Sequence, residues 1–235
     1  MQHHGVRCLL MGGQACVFYG AAEFSRDVDI AIMADANNIK CLKAALSELK
    51  AEVIAIPPLE LSFLQRGLAI HFRCKAPGVE GMRIDVMTIM RGVDPFPQLW
   101  ERRTTLEIEQ IEIDLLSLPD LVLAKKTQRS KDWPMLERLI EAHWFQHRKQ
   151  ATPQRIDFWL RECRTPEILT ELAERFPSET HAFIPYRPLL QKALEQHSQS
   201  LELELEKERL QEVAKDKAYW EPLRKELEIL RLARE

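Results

Sequence analysis

Leu10-Met11-Gly12-Gly13-Gln14-Ala15, followed by Ser25-Arg26-Asp27-Val28-Asp29-Ile30, decides how this 235-residue chain is read. Val6 to Met11 is a short apolar run ending in a glycine pair, the pattern of a buried strand entering a tight turn. Gln14 to Tyr19 has the length of a short helix. Val28 to Met33 reads as a second strand. Residues two apart on a strand share a face, so Asp27 and Asp29 lie on one side and Val28 and Ile30 on the other. Two neighbouring carboxylates repel unless a cation lies between them or one is protonated. A glycine pair between strand and helix lets backbone N–H groups approach an anion, and Ser25 adds a hydroxyl donor.

A third acid, Asp85, sits in a later strand-like run, Arg83 to Met87. Mg²⁺ is the cation expected for such a set, because it takes hard oxygen ligands and keeps bonds to substrate phosphates. With Asp85 on a neighbouring strand, two ions are expected. One would hold a triphosphate and the other would lower the pKa of an attacking hydroxyl.

The rest of the first half is mixed. Asn38 to Lys50 carries Ile39, Leu42, Ala45, Leu46 and Leu49 at helical spacing. Leu68 to Arg73 is a further strand, separated from Arg83 to Met87 by the Pro77-Gly78 turn. Phe96 to Arg103 reads as a short helix, and Leu106 to Leu115 as one last alternating strand. Ser117-Leu118-Pro119-Asp120 then supplies an N-cap, a proline in the first turn and an acid at the third position. Helices are expected over about 118–130, 133–147, 153–163, 166–176 and from 187 to the end. The fold class is therefore α+β, a small mixed sheet over 1–115 followed by a helical domain over 116–235.

Composition narrows the partners. Net charge is −3, so no strong basic field advertises nucleic acid. Up to Leu115 there are 12 basic and 15 acidic residues, against 21 of each beyond it. The basic pairs Arg102-Arg103 and Lys125-Lys126 are weak evidence for nucleic acid in such a chain. Five scattered cysteines without C-x-x-C spacing read as reduced thiols of a cytoplasmic protein. No apolar stretch reaches the length of a membrane span, and Met1-Gln2-His3-His4 does not look like a signal peptide.

The order strand, Gly12-Gly13, short helix, Ser25-x-Asp27-x-Asp29, then Arg83-Ile84-Asp85 resembles the nucleotidyltransferase superfamily of the DNA polymerase β type. In form it is closest to small bacterial nucleotidyltransferases of the AbiEii toxin kind. A second segment, Leu118 to Lys125 with Arg129-Ser130-Lys131-Asp132, resembles the helix of that family carrying a lysine and a later Arg-x-Lys-Asp. The resemblance spans about residues 6–140 and implies a Mg²⁺-dependent enzyme that moves an NMP from an NTP to a hydroxyl. It implies metal binding and catalysis by Asp27, Asp29 and Asp85, and nucleotide binding by Gly12, Gly13, Ser25, Lys125 and Lys131. The acceptor class stays open among tRNA or other RNA, protein and a small molecule. A toxin–antitoxin role is implied by analogy, with an antitoxin or a second copy meeting the C-terminal helices. The alternative is a catalytically inactive nucleotide-binding or partner-binding protein on the same fold.

Other residues have plainer expectations. His71 reads as a core or edge histidine, and His143 and His147 as a solvated helix face. The five tryptophans read as helix-packing residues. Trp220, Leu223, Leu227 and Leu230 form an apolar helix face that must pack on something.

Overall fold

Alternation along the strands decides which face of the sheet becomes core. In the computed structural model, which describes residues 1–233, the strands are β1 (Cys8–Met11), β2 (Asp27–Ile32), β3 (Glu52–Val53), β4 (Ile70–Arg73), β5 (Arg83–Met87), β6 (Thr104–Ile108) and β7 (Ile111–Leu115). They form one mixed sheet in the order β3-β4-β5-β2-β1-β7-β6. β2 pairs in parallel with β5, and β1 in parallel with β7; β1–β2, β3–β4, β4–β5 and β6–β7 are antiparallel. Ile30 and Ile32 of β2, Ile70 and Phe72 of β4, and Ile84 and Val86 of β5 are buried in one cluster. The helix α2 (Ala36–Glu48) joins it through Ile39, Leu42, Ala45 and Leu46. Burying a leucine such as Leu42 completely contributes about 1.5–3 kcal/mol.

Polar side chains fix the ends of these elements. Asp35 caps α2 by accepting from the Asn38 backbone N–H at 2.8 Å. The buried Asn38 amide donates to the carbonyls of Arg7 and Met33 and accepts from the Arg7 N–H. One residue thus ties the start of β1 to the end of β2.

Contacts divide the chain into two units. The first is residues 1–124 with those from 218 on, and the second is residues 125–217. Besides the sheet and α2, the first unit contains α1 (Gly12–Phe18), α3 (Leu61–Gln65), α4 (Phe96–Glu101) and α5 (Leu118–Ala124). The Asp120 carboxylate at the start of α5 is 2% exposed as a residue, and it accepts from Arg102 twice, at 2.6 and 2.8 Å. It also accepts from the Ser117 hydroxyl at 2.6 Å, and the Asp120 backbone N–H donates back to that hydroxyl at 3.4 Å as the expected cap.

The second unit is helical: α6 (Asp132–His147), α7 (Pro153–Glu162), α8 (Pro166–Arg175), α9 (Pro177–Phe183), α10 (Leu190–Leu194) and the first part of α11 (Ser198–Leu232). Prolines in the first turns of α7, α8 and α9 start three of them, where a missing N–H costs nothing. Trp144 and Trp159 meet edge to face at 4.8 Å in its core, as packing tryptophans should.

Several elements differ from the sequence reading. The single strand expected over 106–115 is a hairpin, β6 and β7, turning at Glu109 and Gln110 with φ of 50° and 66°. α1 begins at Gly12 itself rather than after the pair. The helix expected over 118–130 stops at Ala124. The run expected from 187 breaks at Gln196, φ 57°, between α10 and α11. β3, α3 and α9 carry too little periodicity to be legible. The apolar face of the last helix does find its partner: Trp220, Leu223, Leu227 and Leu230 pack with Phe63 and Leu68 of the first unit. Arg66 and Glu226 pair beside them at 2.8 Å.

Candidate functional site

Strand register assembles the site. Asp29 of β2 lies directly opposite Asp85 of β5, and Asp27 opposite Arg83. Asp85 in turn lies opposite His71 of β4, and Asp29 opposite Met11 of β1. In-register neighbours present their side chains on one face, so Asp29, Asp85 and His71 stand in a row on the side away from the α2 core.

The glycine pair closes the other side. Gly12 has φ +66°, a conformation that glycine adopts without penalty. A Cβ there would collide with the Asp29 carboxylate, and a Cβ on Gly13 would collide with the Ser25 hydroxyl. Both glycines are therefore required by close approach: Gly12 makes room for Asp29, and Gly13 for Ser25. Gln14 donates through Nε2 to the Ser25 carbonyl at 2.8 Å, and the Ser25 hydroxyl donates to the Asp27 carbonyl at 3.3 Å. These bonds hold the loop before β2 against α1.

Asp85 is engaged by two neighbours. Arg83 Nε donates to its Oδ1 at 2.8 Å, and His71 Nδ1 lies 2.8 Å from the same oxygen. Arg83 Nη2 is 3.1 Å from His71 Nδ1. A proton on Nδ1 makes His71 a donor to Asp85; the other tautomer would accept from Arg83 instead. Burial alone would push the Asp85 carboxyl up, but the hydrogen bonds from His71 and Arg83 outweigh it and hold it below the usual carboxylate range. Arg83 is held more firmly charged, first by its bond to Asp85 and then by the charges of Asp85, Asp27 and Asp29; partial burial opposes this.

The fit to a metal has two sides. In kind, three carboxylates on one face of adjacent parallel strands suit a hard dication. In disposition, among the described residues no three acidic, histidine or cysteine side chains are grouped as a metal ion needs. Asp85 is instead paired with the Arg83 guanidinium. Arg83 and His71 were not singled out for chemistry by the sequence reading. A signal was there for Arg83, since it stands two residues before Asp85 and a strand places such a pair on one face.

The two lysines belong to the helical unit. Lys125 is 7% exposed, with its Nζ 3.5 Å from Asp132 Oδ1. Asp132 also accepts from the Thr127 hydroxyl at 2.5 Å and from Arg129 Nε at 2.8 Å. The Arg-x-Lys-Asp segment is thus organised around a buried carboxylate at the start of α6. Lys131 is exposed and precedes α6. Lys126 Nζ lies 2.5 Å from Glu162 Oε2.

The expected solvated pair His143 and His147 is otherwise. His143 is half-buried against Phe158 and accepts from Trp159 Nε1 through Nδ1 at 2.9 Å. Burial, with His147 and Arg155 nearby, pushes its pKa down to about 4.

No family model matches this chain. No curated protein matches it either. Among solved structures it is similar to an antigenic nucleotidyltransferase-like protein from Paracoccidioides brasiliensis, with 18% identity and a TM-score of 0.39 over 83% of this chain and 86% of that one. A likeness of that size carries no argument about activity. No helix among the described residues is long and apolar enough to cross a membrane.

Proposed function

We propose that the sheet unit binds a nucleoside triphosphate with a divalent metal and transfers its nucleotidyl group to a hydroxyl acceptor. One observation carries this reading: the register that sets Asp29 beside Asp85, on a strand whose carboxylate fills the space left open by Gly12. Asp27, Asp29 and Asp85 would hold the metal, which supplies charge neutralisation to the phosphates. The backbone at Gly12 and Gly13 and the Ser25 hydroxyl would hold triphosphate oxygens. The acceptor hydroxyl gives up its proton to solvent as its oxygen bonds to the α-phosphorus, the bond from that phosphorus to the oxygen bridging to the β-phosphate breaks, and pyrophosphate leaves. What these residues contribute is positioning and electrostatic stabilisation of the charge that develops in line.

Acceptor classes in view are RNA, protein and a small molecule, and a toxin-like role is carried over by analogy alone. A second reading has an observation of its own. Asp85 already bonded to Arg83 and His71 favours nucleotide binding without transfer. Incubation with each of the four α-labelled NTPs, Mg²⁺ and separated cell fractions distinguishes them. Label fixed covalently to RNA, protein or a small hydroxyl compound supports transfer and names the acceptor. Saturable binding of nucleotide with no labelled product in any fraction supports the second reading.

A further inference from the structure

We infer that the helical unit holds a binding site for a basic α-amino acid, lysine or arginine, in a cavity that the proposed transfer does not use. The cavity measures about 320 Å³, at the small end for ligand pockets, and every residue lining it belongs to the second unit. Its walls come from α6, the turn from α7 into the start of α8, and α11.

Arg164 supplies an end for an anion. Its side chain is 6% exposed, and neither Nε nor Nη1 has a hydrogen-bond partner. Glu208 stays 3.7 Å from it, because Arg187 already holds that carboxylate in a fork at 2.9 and 3.1 Å. The Trp133 ring lies 4.8 Å from the guanidinium carbon and offers its face, not an oxygen acceptor. A buried guanidinium without an acceptor is costly, so the cavity beside it calls for one. A carboxylate matches a guanidinium in shape and charge. The start of α8 adds to the pull. Thr165, at the N-cap, gives its hydroxyl to Glu141 at 2.6 Å and leaves the first turn without a side-chain cap.

The other walls are acidic. Five glutamates line the cavity against two arginines, so it favours a ligand with net positive charge. Arg209 already takes Glu206 in a fork. Among the described residues Glu137 and Glu202 line the cavity without a hydrogen bond or ion pair. Glu137 is half-buried, and burial, then the Glu141 charge, push its carboxyl up. An ammonium beside it favours the charged form. Glu202 is exposed. From inside to outside the order is guanidinium, half-buried carboxylate, exposed carboxylate. That order complements the carboxylate, α-ammonium and side-chain cation of lysine or arginine. A metal ion does not fit, since no three acidic, histidine or cysteine side chains among the described residues are grouped to hold one.

Calorimetric titration of the full chain with L-lysine and L-arginine tests this, with two lysine analogues beside them. Cadaverine lacks the carboxylate, and L-norleucine lacks the side-chain ammonium. One L-lysine per chain is expected, with each analogue bound at least about tenfold more weakly, because each forfeits a charge-assisted pair. Arg164→Gln is expected to bind L-lysine and cadaverine alike. Glu202→Gln changes an exposed side chain, so it keeps the fold even where Arg164→Gln does not. It should weaken L-lysine about two- to fivefold, the smaller worth of an exposed pair. Absence of saturable binding by both amino acids overturns the inference. Cadaverine binding as tightly as L-lysine also overturns it, and makes the cavity a polyamine site. Unchanged L-lysine affinity in both variants overturns it too, by placing the amino acid elsewhere. None of these results bears on nucleotidyl transfer, which is tested separately.

Discussion

Placing a methyl group on Gly12 tests the closest contact of the site. Gly12 has φ +66°, where an L-residue costs roughly 1–2 kcal/mol. The added Cβ also meets the Asp29 side chain, and it cannot be accommodated unless β2 or α1 shifts. Overpacking of that kind costs about 1–3 kcal/mol, so Gly12→Ala is expected to lose roughly 2–5 kcal/mol in all. Gly92 separates the two contributions. Its φ is +71°, yet nothing lies within 4 Å of the place its Cβ would take. Gly92→Ala should therefore lose only roughly 1–2 kcal/mol. Denaturant unfolding followed by tryptophan fluorescence measures both, and nucleotide binding measures the displacement of Asp29. Gly12→Ala should fall well below Gly92→Ala in stability and lose nucleotide binding, while Gly92→Ala keeps it. Equal stability losses in the two variants would show that Asp29 does not press on Gly12 as described.

Other expectations follow from single contacts. Arg102→Ala strands the buried Asp120 with only its Ser117 partner and should cost about 1.5–3 kcal/mol by chemical denaturation; no measurable loss refutes a structural role for the pair. Lys125→Ala removes a buried partner of Asp132 and should destabilise by about 1–3 kcal/mol, since Thr127 and Arg129 remain, whereas Lys131→Ala should stay within about 0.5 kcal/mol. His143, pushed down to about 4, is neutral in the fold while the unfolded chain takes up a proton near pH 6.5. Its contribution is fully present above the unfolded value and is lost as pH falls toward 4, so stability should rise as pH increases from about 4 to 6.5, less steeply in His143→Gln. Identical pH profiles for His143→Gln and wild type would count against it.

Much of the sheet was legible because its strands alternate cleanly. Ile30, Ile84 and Val86 announce a buried face, and Asp29 and Asp85 therefore fall on the opposite one. The hairpin at 109–110 was not legible, because Glu109 and Gln110 occupy left-handed conformations that asparagine or glycine usually signals. The two-residue β3 and the five-residue α3 are too short to show a period. At the site, the glycine pair and the acids stood out by residue type. His71 did not, because its part comes from a register between β4 and β5 that the sequence alone does not fix, whereas Arg83 was marked only by its place two residues before Asp85 on the same strand. The break before α11 depends on the single residue Gln196, which no proline or glycine marks.

The central claim is that the carboxylates beside Gly12 support transfer of a nucleotidyl group. It is tested most directly by following α- and γ-labelled NTP in parallel, with the acceptor fraction present, in wild type and in Asp29→Asn. The account predicts product labelled from the α-position only, with γ-label recovered in pyrophosphate. It also predicts loss of roughly a thousandfold or more in rate in Asp29→Asn, the equivalent of about 4 kcal/mol in barrier. Product carrying the γ-label, or undiminished α-transfer by Asp29→Asn, would contradict it.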